Sequence, residues 1–439
     1  MPDLADIWPV SSLQQGLLFH AVYDDTAHDD YMVRFGLDLA GDVDAARLRT
    51  ATEGLFARHP GLRACFVREG LAEPVQVIPA QVALPWREHD LSRLDGPARE
   101  AELARLLDAD SGRRLPVDTA PLARCMLLRL GADSHRLILT SHHLLLDGWS
   151  MALLSRELLA LYDAGNDPDD PHALAALPAP RPYSAYLSWL KGQNSQAGLD
   201  AWHTALSGVA GPTLAASPDT PATAATRRHV LELTAEQTAT LTAYARRHGL
   251  TLNTVVQGAW AIVLGWLTGR DDVVFGVTVS GRPPEIDGID TMVGLFINTV
   301  PARVRLRPDE TFPELLTRVQ GEQARLLDHH HIGLTDIQRR IGTGRLFDTL
   351  LVYENYPHDP DALRSASKRL TVTGVHPRTA PTTRSAWSRS PANGCGSTST
   401  TARTPSAGAG RRPPPTRWNT CSPGCPSCPE RPRPRWRGC

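Results

Sequence analysis

The stretch Ser141-His142-His143-Leu144-Leu145-Leu146-Asp147-Gly148-Trp149-Ser150 lies between the alternating strand Arg136 to Ser141 and a helix-spaced apolar run, Met151 to Leu161. A strand running into a helix across a short polar loop indicates mixed α and β structure, and it sets two imidazoles and a carboxylate at a strand end. Neighbouring strand residues point to opposite faces, so only one of His142 and His143 can face a given cleft, and the other is expected to be packed or hydrogen-bonded. A neutral imidazole near its intrinsic pKa can accept a proton from an amine or hydroxyl, and Asp147, held by an arginine, can order the loop. Gly148 is expected to let the backbone turn tightly there.

Outward from this loop the same mixture continues. Upstream, the periodicity predicts helices over Leu13 to His20, Ala45 to Arg58 and Ala98 to Leu107, with strands over Tyr31 to Leu39, Leu62 to Val67 and Leu122 to Leu130. A stretch rich in Asp, Pro and Ala, Gly165 to Pro182, reads as a linker and divides a first lobe, 1–172, from a second. The second lobe is expected to hold helices at Tyr183 to Lys191, Leu199 to Leu206, Ala235 to His248, Asn253 to Leu267 and Phe312 to Leu327. Its strands are expected at Arg228 to Leu233, Asp272 to Val279, Thr299 to Leu306 and Thr349 to Tyr353.

The 439 residues carry 46 basic and 47 acidic side chains, with 41% hydrophobic and 21% charged residues, which fits a folded globular chain and argues against collagen-like, coiled-coil or disordered classes. The opening MPDLADIWPVSS has no basic segment followed by an apolar run, and Cys65 and Cys125 are the only cysteines before Gly374, so a reducing cytoplasmic setting is expected. The most apolar run, Val255 to Leu267, is too short to span a bilayer. Neither a membrane nor a nucleic-acid partner is expected. His329, His330 and His331 fall on different faces and do not converge on a metal, so solvated side chains are expected there.

Several stretches, in order, resemble the condensation domains of nonribosomal peptide synthetases. Beside the HHxxxDGWS segment these are Trp8 to Ser11 with Leu13 to His20, Arg58 to Arg63 with Phe66, Tyr183 to Tyr186 with Trp189, Val277 to Pro283, Val293 to Val300 with Arg303, and Leu346 to Asp348 with Asn355 to Pro357. In the fourth of these, Ser184 and Ala185 stand where the family's usual Asp would be. The resemblance implies an α/β (α+β) fold of two chloramphenicol-acetyltransferase-like lobes in a V-shaped pseudo-dimer. It implies amide formation between an acyl or peptidyl thioester on an upstream carrier domain and the amine of an aminoacyl group on a downstream one. The acyl groups would ride on the 4'-phosphopantetheine arms of those carriers, next to an adenylation domain, and no cofactor or metal would bind the domain itself.

On this resemblance His143 positions or deprotonates the amine, His142 packs behind it, and Asp147 pairs with Arg282 of the SGRP segment. Trp149 packs, Asn298 lies at the tunnel as a donor or forms the turn before its strand, and Arg63 belongs to the tunnel or its support. The opening QQGLLFH and the DGWS ending look more like the subclass that takes a donor with a D-configured terminal residue. Two alternatives stay open. An epimerisation domain shares the HHxxxDG segment, and a non-catalytic or inactive condensation-like fragment shares the fold.

After Gly374 the composition breaks. Residues 375–439 hold 11 Arg, no Lys, one acid, five of the seven Cys, 12 of the 36 Pro and no Leu, Ile, Phe or Met, so that segment cannot build a core and reads as a disordered tail. The spacing Cys421, Cys425, Cys428 superficially resembles a metal knuckle, and the arginines a nucleic-acid arm. A single-nucleotide frameshift between Gly374 and Thr379 accounts for both. Residues 380–404 can be re-read in the adjoining frame as two alternating segments, LSLVAV and RLRLHLDY, joined by AGE, which is a β-hairpin pattern. The expected organisation is therefore lobe 1–172, a truncated lobe 173–374, and a non-native tail.

Overall fold

The structure, a computed structural model, describes residues 3–23, 31–165, 177, 179–216, 226–354, 363, 367, 369–379, 386–390 and 397–403. The expected lobe boundary at 172 lies outside the described residues. In chain order the strands are β1 Leu4–Pro9, β2 Met32–Ala40, β3 Cys65–Val67, β4 Val75–Pro79, β5 Trp86–Asp90, β6 Ala123–Arg129, β7 Ser134–His142, β8 Thr226–Glu232, β9 Asp272–Val279, β10 Asn298–Arg305, β11 Leu350–Leu351, β12 Thr371–Thr379, β13 Ala386–Ser390 and β14 Ser397–Arg403. The helices are α1 Ser12–Tyr23, α2 Ala45–Arg58, α3 Gly96–Ser111, α4 Gly148–Ala164, α5 Tyr183–Lys191, α6 Ser195–Leu206, α7 Ala235–Arg247, α8 Leu252–Thr268, α9 Phe312–Ala324 and α10 Leu334–Ile341.

The first lobe is built on a five-stranded sheet, β12-β2-β7-β6-β5, covered on both faces, beside a small three-stranded sheet, β1-β4-β3. On β6 and β7, Cys125, Leu127 and Leu137 join a core with Leu48, Leu55 and Phe56 of α2 and Leu154 and Leu158 of α4. The alternate residues Met126, Leu128 and Ile138 pack instead with Leu103 and Leu106 of α3. Burial on two faces is why β6 reads as a nearly unbroken apolar run, without the alternation of a half-solvated strand. The buried exception is Arg124, on the α3 side, whose Nε donates to Asp110 Oδ1 at 2.5 Å. Burial alone would raise the Asp110 pKa, but its hydrogen bonds from Arg124 and Thr140 hold it below the usual carboxylate value.

The second lobe is built on a six-stranded sheet, β10-β9-β11-β13-β14-β8. Val273, Phe275 and Val277 of β9 and Val300, Ala302 and Val304 of β10 pack with Trp260, Ala261 and Leu264 of α8 and Leu315 and Val319 of α9. Among the described residues no single helix is long and apolar enough to cross a membrane, although α7 and α8 together form one bent apolar pair.

Two features correct the expected organisation. Strand β12 straddles the boundary placed at 374 and returns to the first lobe, where Val375 lies opposite Leu37 and Thr379 opposite Val33. The segment from 375 onward, expected to be without regular structure, also contributes β13 and β14. These strands fill the gap between β11 and β8, with Leu350 beside Ala386 and Ser399 beside Val230. Strand order across a sheet depends on long-range pairing and leaves no mark in local composition, which is why neither feature is visible in sequence periodicity.

Candidate active site

Helix α4 opens with Asp147 as its N-cap, and the cap, not a glycine conformation, makes the turn out of β7. Asp147 is extended at φ −102° and ψ 176°, and its Oδ1 accepts the Ser150 N–H at 2.9 Å. Gly148 is simply the first helical residue and is absent from the glycines with positive φ, so the tight-turn role expected of it is corrected.

His142 ends β7 and is fully buried, and its Nδ1 accepts the Leu144 N–H at 3.1 Å, so its own proton sits on Nε2. His143 is the half-buried member of the pair. Its backbone N–H donates to the Tyr31 carbonyl at 2.8 Å, and its Nδ1 lies 3.1 Å from the Leu146 carbonyl. A carbonyl oxygen only accepts, so Nδ1 carries the proton and Nε2 presents a lone pair. The two adjacent imidazoles are thus held in opposite tautomers by the backbone of one loop. Burial pushes the His143 pKa below its ordinary 6.5, which keeps the ring neutral and able to accept a proton near pH 7.

Asp147 reaches the second lobe through its carboxylate. Its Oδ2 accepts the Phe296 N–H at 3.1 Å, its own N–H donates to the Gly294 carbonyl at 3.1 Å, and Arg282 Nη2 lies 3.4 Å from Oδ1. Arg282 gathers the surrounding backbone as well: Nη1 donates to Ile289 O at 2.5 Å and to Met292 O at 3.0 Å. The guanidinium lies 3.9 Å from the Phe296 ring centroid and 5.4 Å from that of Trp149. Ser150, fully buried, completes the seam with a bond from its Oγ to Gly294 O at 2.8 Å and one from Gly294 N at 3.1 Å.

The geometry sorts the remaining expected residues. Trp149 does more than pack, since its Nε1 donates to Asp290 O at 2.9 Å across the seam. Asn298 spends both amide protons on His330 O at 2.7 Å and Ile332 O at 2.8 Å, so it braces that loop and has no donor left for a substrate. Arg63 is buried under α2, where it donates to Phe56 O, Ala57 O and Pro79 O, so its place is the C-terminal end of that helix and not a tunnel wall. The three consecutive histidines, expected to be solvated, are partly buried, and burial pushes His330 down to about 4. Sequence reasoning quoted Ser150 in the motif without giving it a role at the site, and it missed Tyr31. Their roles are set by which backbone groups the fold brings within reach.

Close packing at the seam depends on two glycines. A Cβ at Gly281 would sit 1.9 Å from the Phe296 carbonyl oxygen, and one at Gly294 would sit 2.2 Å from the Tyr183 ring. Tyr183 Oη also donates to Leu295 O at 2.6 Å, so the ring cannot withdraw without losing that bond. Gly281→Ala is therefore expected to cost about 1–3 kcal/mol of stability in urea unfolding, because the obstructing atom is backbone. A variant that unfolds like wild type would show that the seam is looser than its geometry indicates.

The family model for the condensation domain matches residues 4–383. A component of the linear gramicidin synthase of Brevibacillus parabrevis is 36% identical over 361 residues, covering 81% of this chain and 7% of that protein. Chondramide synthase of Chondromyces crocatus is 36% identical over 420 residues, covering 84% of this chain and 10% of its own length. The chain thus spans only a small part of these curated relatives. Among solved structures, the first condensation domain of the calcium-dependent antibiotic synthetase, in complex with a substrate analogue, matches with a TM-score of 0.72 at 22% identity over 91% of each chain. A four-domain nonribosomal peptide synthetase bound to AMP and glycine matches with a TM-score of 0.76 at 17% identity, over 92% of this chain and 31% of that one. These two likenesses are of fold. The motif residues, the mixed α/β sheet architecture and a family model that covers residues 4–383 agree, and the chain belongs to the condensation domain family.

Proposed function

We propose that this domain forms an amide bond between two carrier-borne groups. The amine of an aminoacyl thioester on a downstream carrier attacks the thioester carbonyl on an upstream carrier. A C–N bond forms, the C–S bond breaks, and the amine proton passes by way of His143 to the departing pantetheine sulfur. The observation that carries this reading is the pinned tautomer of His143, whose Nε2 lone pair belongs to a half-buried ring at the entrance to α4. Asp147 serves the seam and not proton transfer, since its oxygens accept from Ser150, Arg282 and Phe296. The carriers' 4'-phosphopantetheine arms belong to the substrates, and an adjacent adenylation domain would load the downstream one.

The test is product analysis by mass spectrometry with loaded donor and acceptor carriers. Dipeptide on the downstream carrier supports the reading. Proton exchange at Cα without transfer would assign epimerisation instead, and carrier binding with unchanged substrates would make the domain a docking module.

The end of the chain bears on the outcome. Strands β13 and β14 lie inside the second sheet, yet their residues are Ala-Trp-Ser-Arg-Ser and Ser-Thr-Ser-Thr-Thr-Ala-Arg. Their neighbour β8 leaves Val230 and Leu231 each 58% exposed, although adjacent strand residues point to opposite faces. The re-read hairpin would supply alternating apolar residues at nearly these positions, so a frameshift near Thr379 remains our reading of the tail. Sequencing the coding DNA across codons 370 to 385 decides it. A chain carried on in the adjoining frame is expected to give several-fold more soluble protein than the chain as it stands, and equal yields would count against the shift.

A further inference from the structure

The loop from His143 to Asp147 lies outside helix and strand, and its shape depends on what grips its backbone. From outside the loop, the Gln14 side chain reaches its middle. Gln14, in α1 and 1% exposed, donates from Nε2 to the Leu144 carbonyl at 2.9 Å. The same nitrogen donates to Gln76 Oε1 at 3.2 Å, while Gln14 Oε1 accepts from Gln76 Nε2 at 3.1 Å and from Ser11 N at 2.9 Å. Gln76, 2% exposed on β4, anchors the pair through a bond from its Nε2 to Pro9 O at 2.7 Å. Both donors and both acceptor positions of the Gln14 amide are therefore used, which fixes its rotamer and the direction of its bond to Leu144.

Resting on the reading of His143 as the group that handles the amine, we propose that Gln14 is a positioning residue for that imidazole. Leu144 directly follows His143, and the His143 ring is held by the Leu146 carbonyl two residues further on. A shift of the peptide at Leu144 moves both ends of the His143 anchor. The amide pair ties this peptide to β4 and to the β1–α1 junction, so the ring is aligned by the rigid part of the first lobe.

Gln14→Met keeps the side-chain length and removes both N–H donors. In the full chain with both carriers loaded, kcat is expected to fall about 10-fold or more, with KM for either carrier changed less than about twofold. Thr140→Val is the control. It removes a buried hydrogen bond to Asp110 in the same lobe and is expected to lower Tm without lowering kcat. Gln76→Met leaves the Gln14 bond to Leu144 possible and should cost less than Gln14→Met. If Gln14→Met does not fold, Gln14→Glu serves, since it keeps an acceptor for Ser11 N–H and has no N–H for Leu144.

Amide hydrogen exchange at residues 143–147 is read on the same samples and needs no turnover. Gln14→Met is expected to speed it at least about 10-fold while the β6 and β7 amides are unchanged. Faster exchange in a chain whose wild type makes no amide bond would support the positioning and overturn the reaction. Unchanged exchange, a rise in KM alone, or an equal kcat loss in Thr140→Val or Gln76→Met would overturn the positioning.

Discussion

Replacing His143 with alanine is expected to slow dipeptide formation by about 10²- to 10⁴-fold while both carriers bind as before. At 1.36 kcal/mol per factor of ten, this is about 3–5 kcal/mol of barrier, the range of one well-placed proton-transfer group. Part of it comes from alignment. The α-ammonium of an aminoacyl group has a pKa of roughly 8, so a fair fraction is already neutral near pH 7, and holding that amine against the thioester carbonyl contributes beside taking its proton. Binding is expected to survive because the Leu144, Leu145 and Asp147 backbone bonds that shape the loop do not involve the His143 ring.

The pH dependence follows from the direction of the His143 shift. Burial lowers its pKa below 6.5, so wild-type kcat should lose its acid side only below that value, and the alanine variant should lack this limb. The stability effect has the matching sign. An unfolded histidine takes up a proton as pH falls through 6.5, whereas the folded ring resists it, so stability decreases from there down to the folded pKa. His143→Ala removes this contribution and should narrow the acid-side loss. Rates within threefold of wild type across pH 5.5 to 8.5 would remove His143 from the mechanism.

Legibility in the sequence followed burial. Helix α2 was read with its observed bounds because Leu48, Ala51, Leu55 and Phe56 recur at helical spacing and are all buried behind the Asp44 cap. Strand β5, Trp86-Arg87-Glu88-His89-Asp90, was missed: it is an edge strand with no buried residue, so no apolar alternation exists to be read. Helix α10 escaped for a similar reason, with Ile337 its only buried residue. At the site, the histidine pair and Asp147 stand out in the local strand-to-helix pattern, whereas the choice of His143 and the partner Arg282 came from the motif resemblance, since residues 135 positions apart cannot be paired from spacing. What local patterns could not show is where spare hydrogen-bonding capacity goes. Asn298 and Arg63 are residue types that could have served a substrate, and the fold uses each on backbone carbonyls. The tail makes the complementary point, because the re-read alternation fell close to the residues that form β13 and β14 while the printed residues have no such pattern.

Asp147→Ala is expected to destabilise the chain by about 3–5 kcal/mol and to abolish measurable condensation, because it removes one partner of a buried ion pair and leaves the other in place. Arg282 would keep its charge with its side chain only 4% exposed, the Phe296 N–H would lose its acceptor, and α4 would lose its cap. Arg282→Met should be milder, since the Asp147 carboxylate keeps the Ser150 and Phe296 donors. The double variant should then be less destabilised than the sum of the two singles, by about 0.5–3 kcal/mol in urea unfolding, and strict additivity would mean that the 3.4 Å contact carries no energy. Activity separates this seam role from proton transfer. If Asp147 moved a proton, Asp147→Asn would shift the pH profile and Arg282→Met would not. If both residues hold the Gly294 to Phe296 segment against α4, the two variants should lose kcat together and leave the His143 limb where it was.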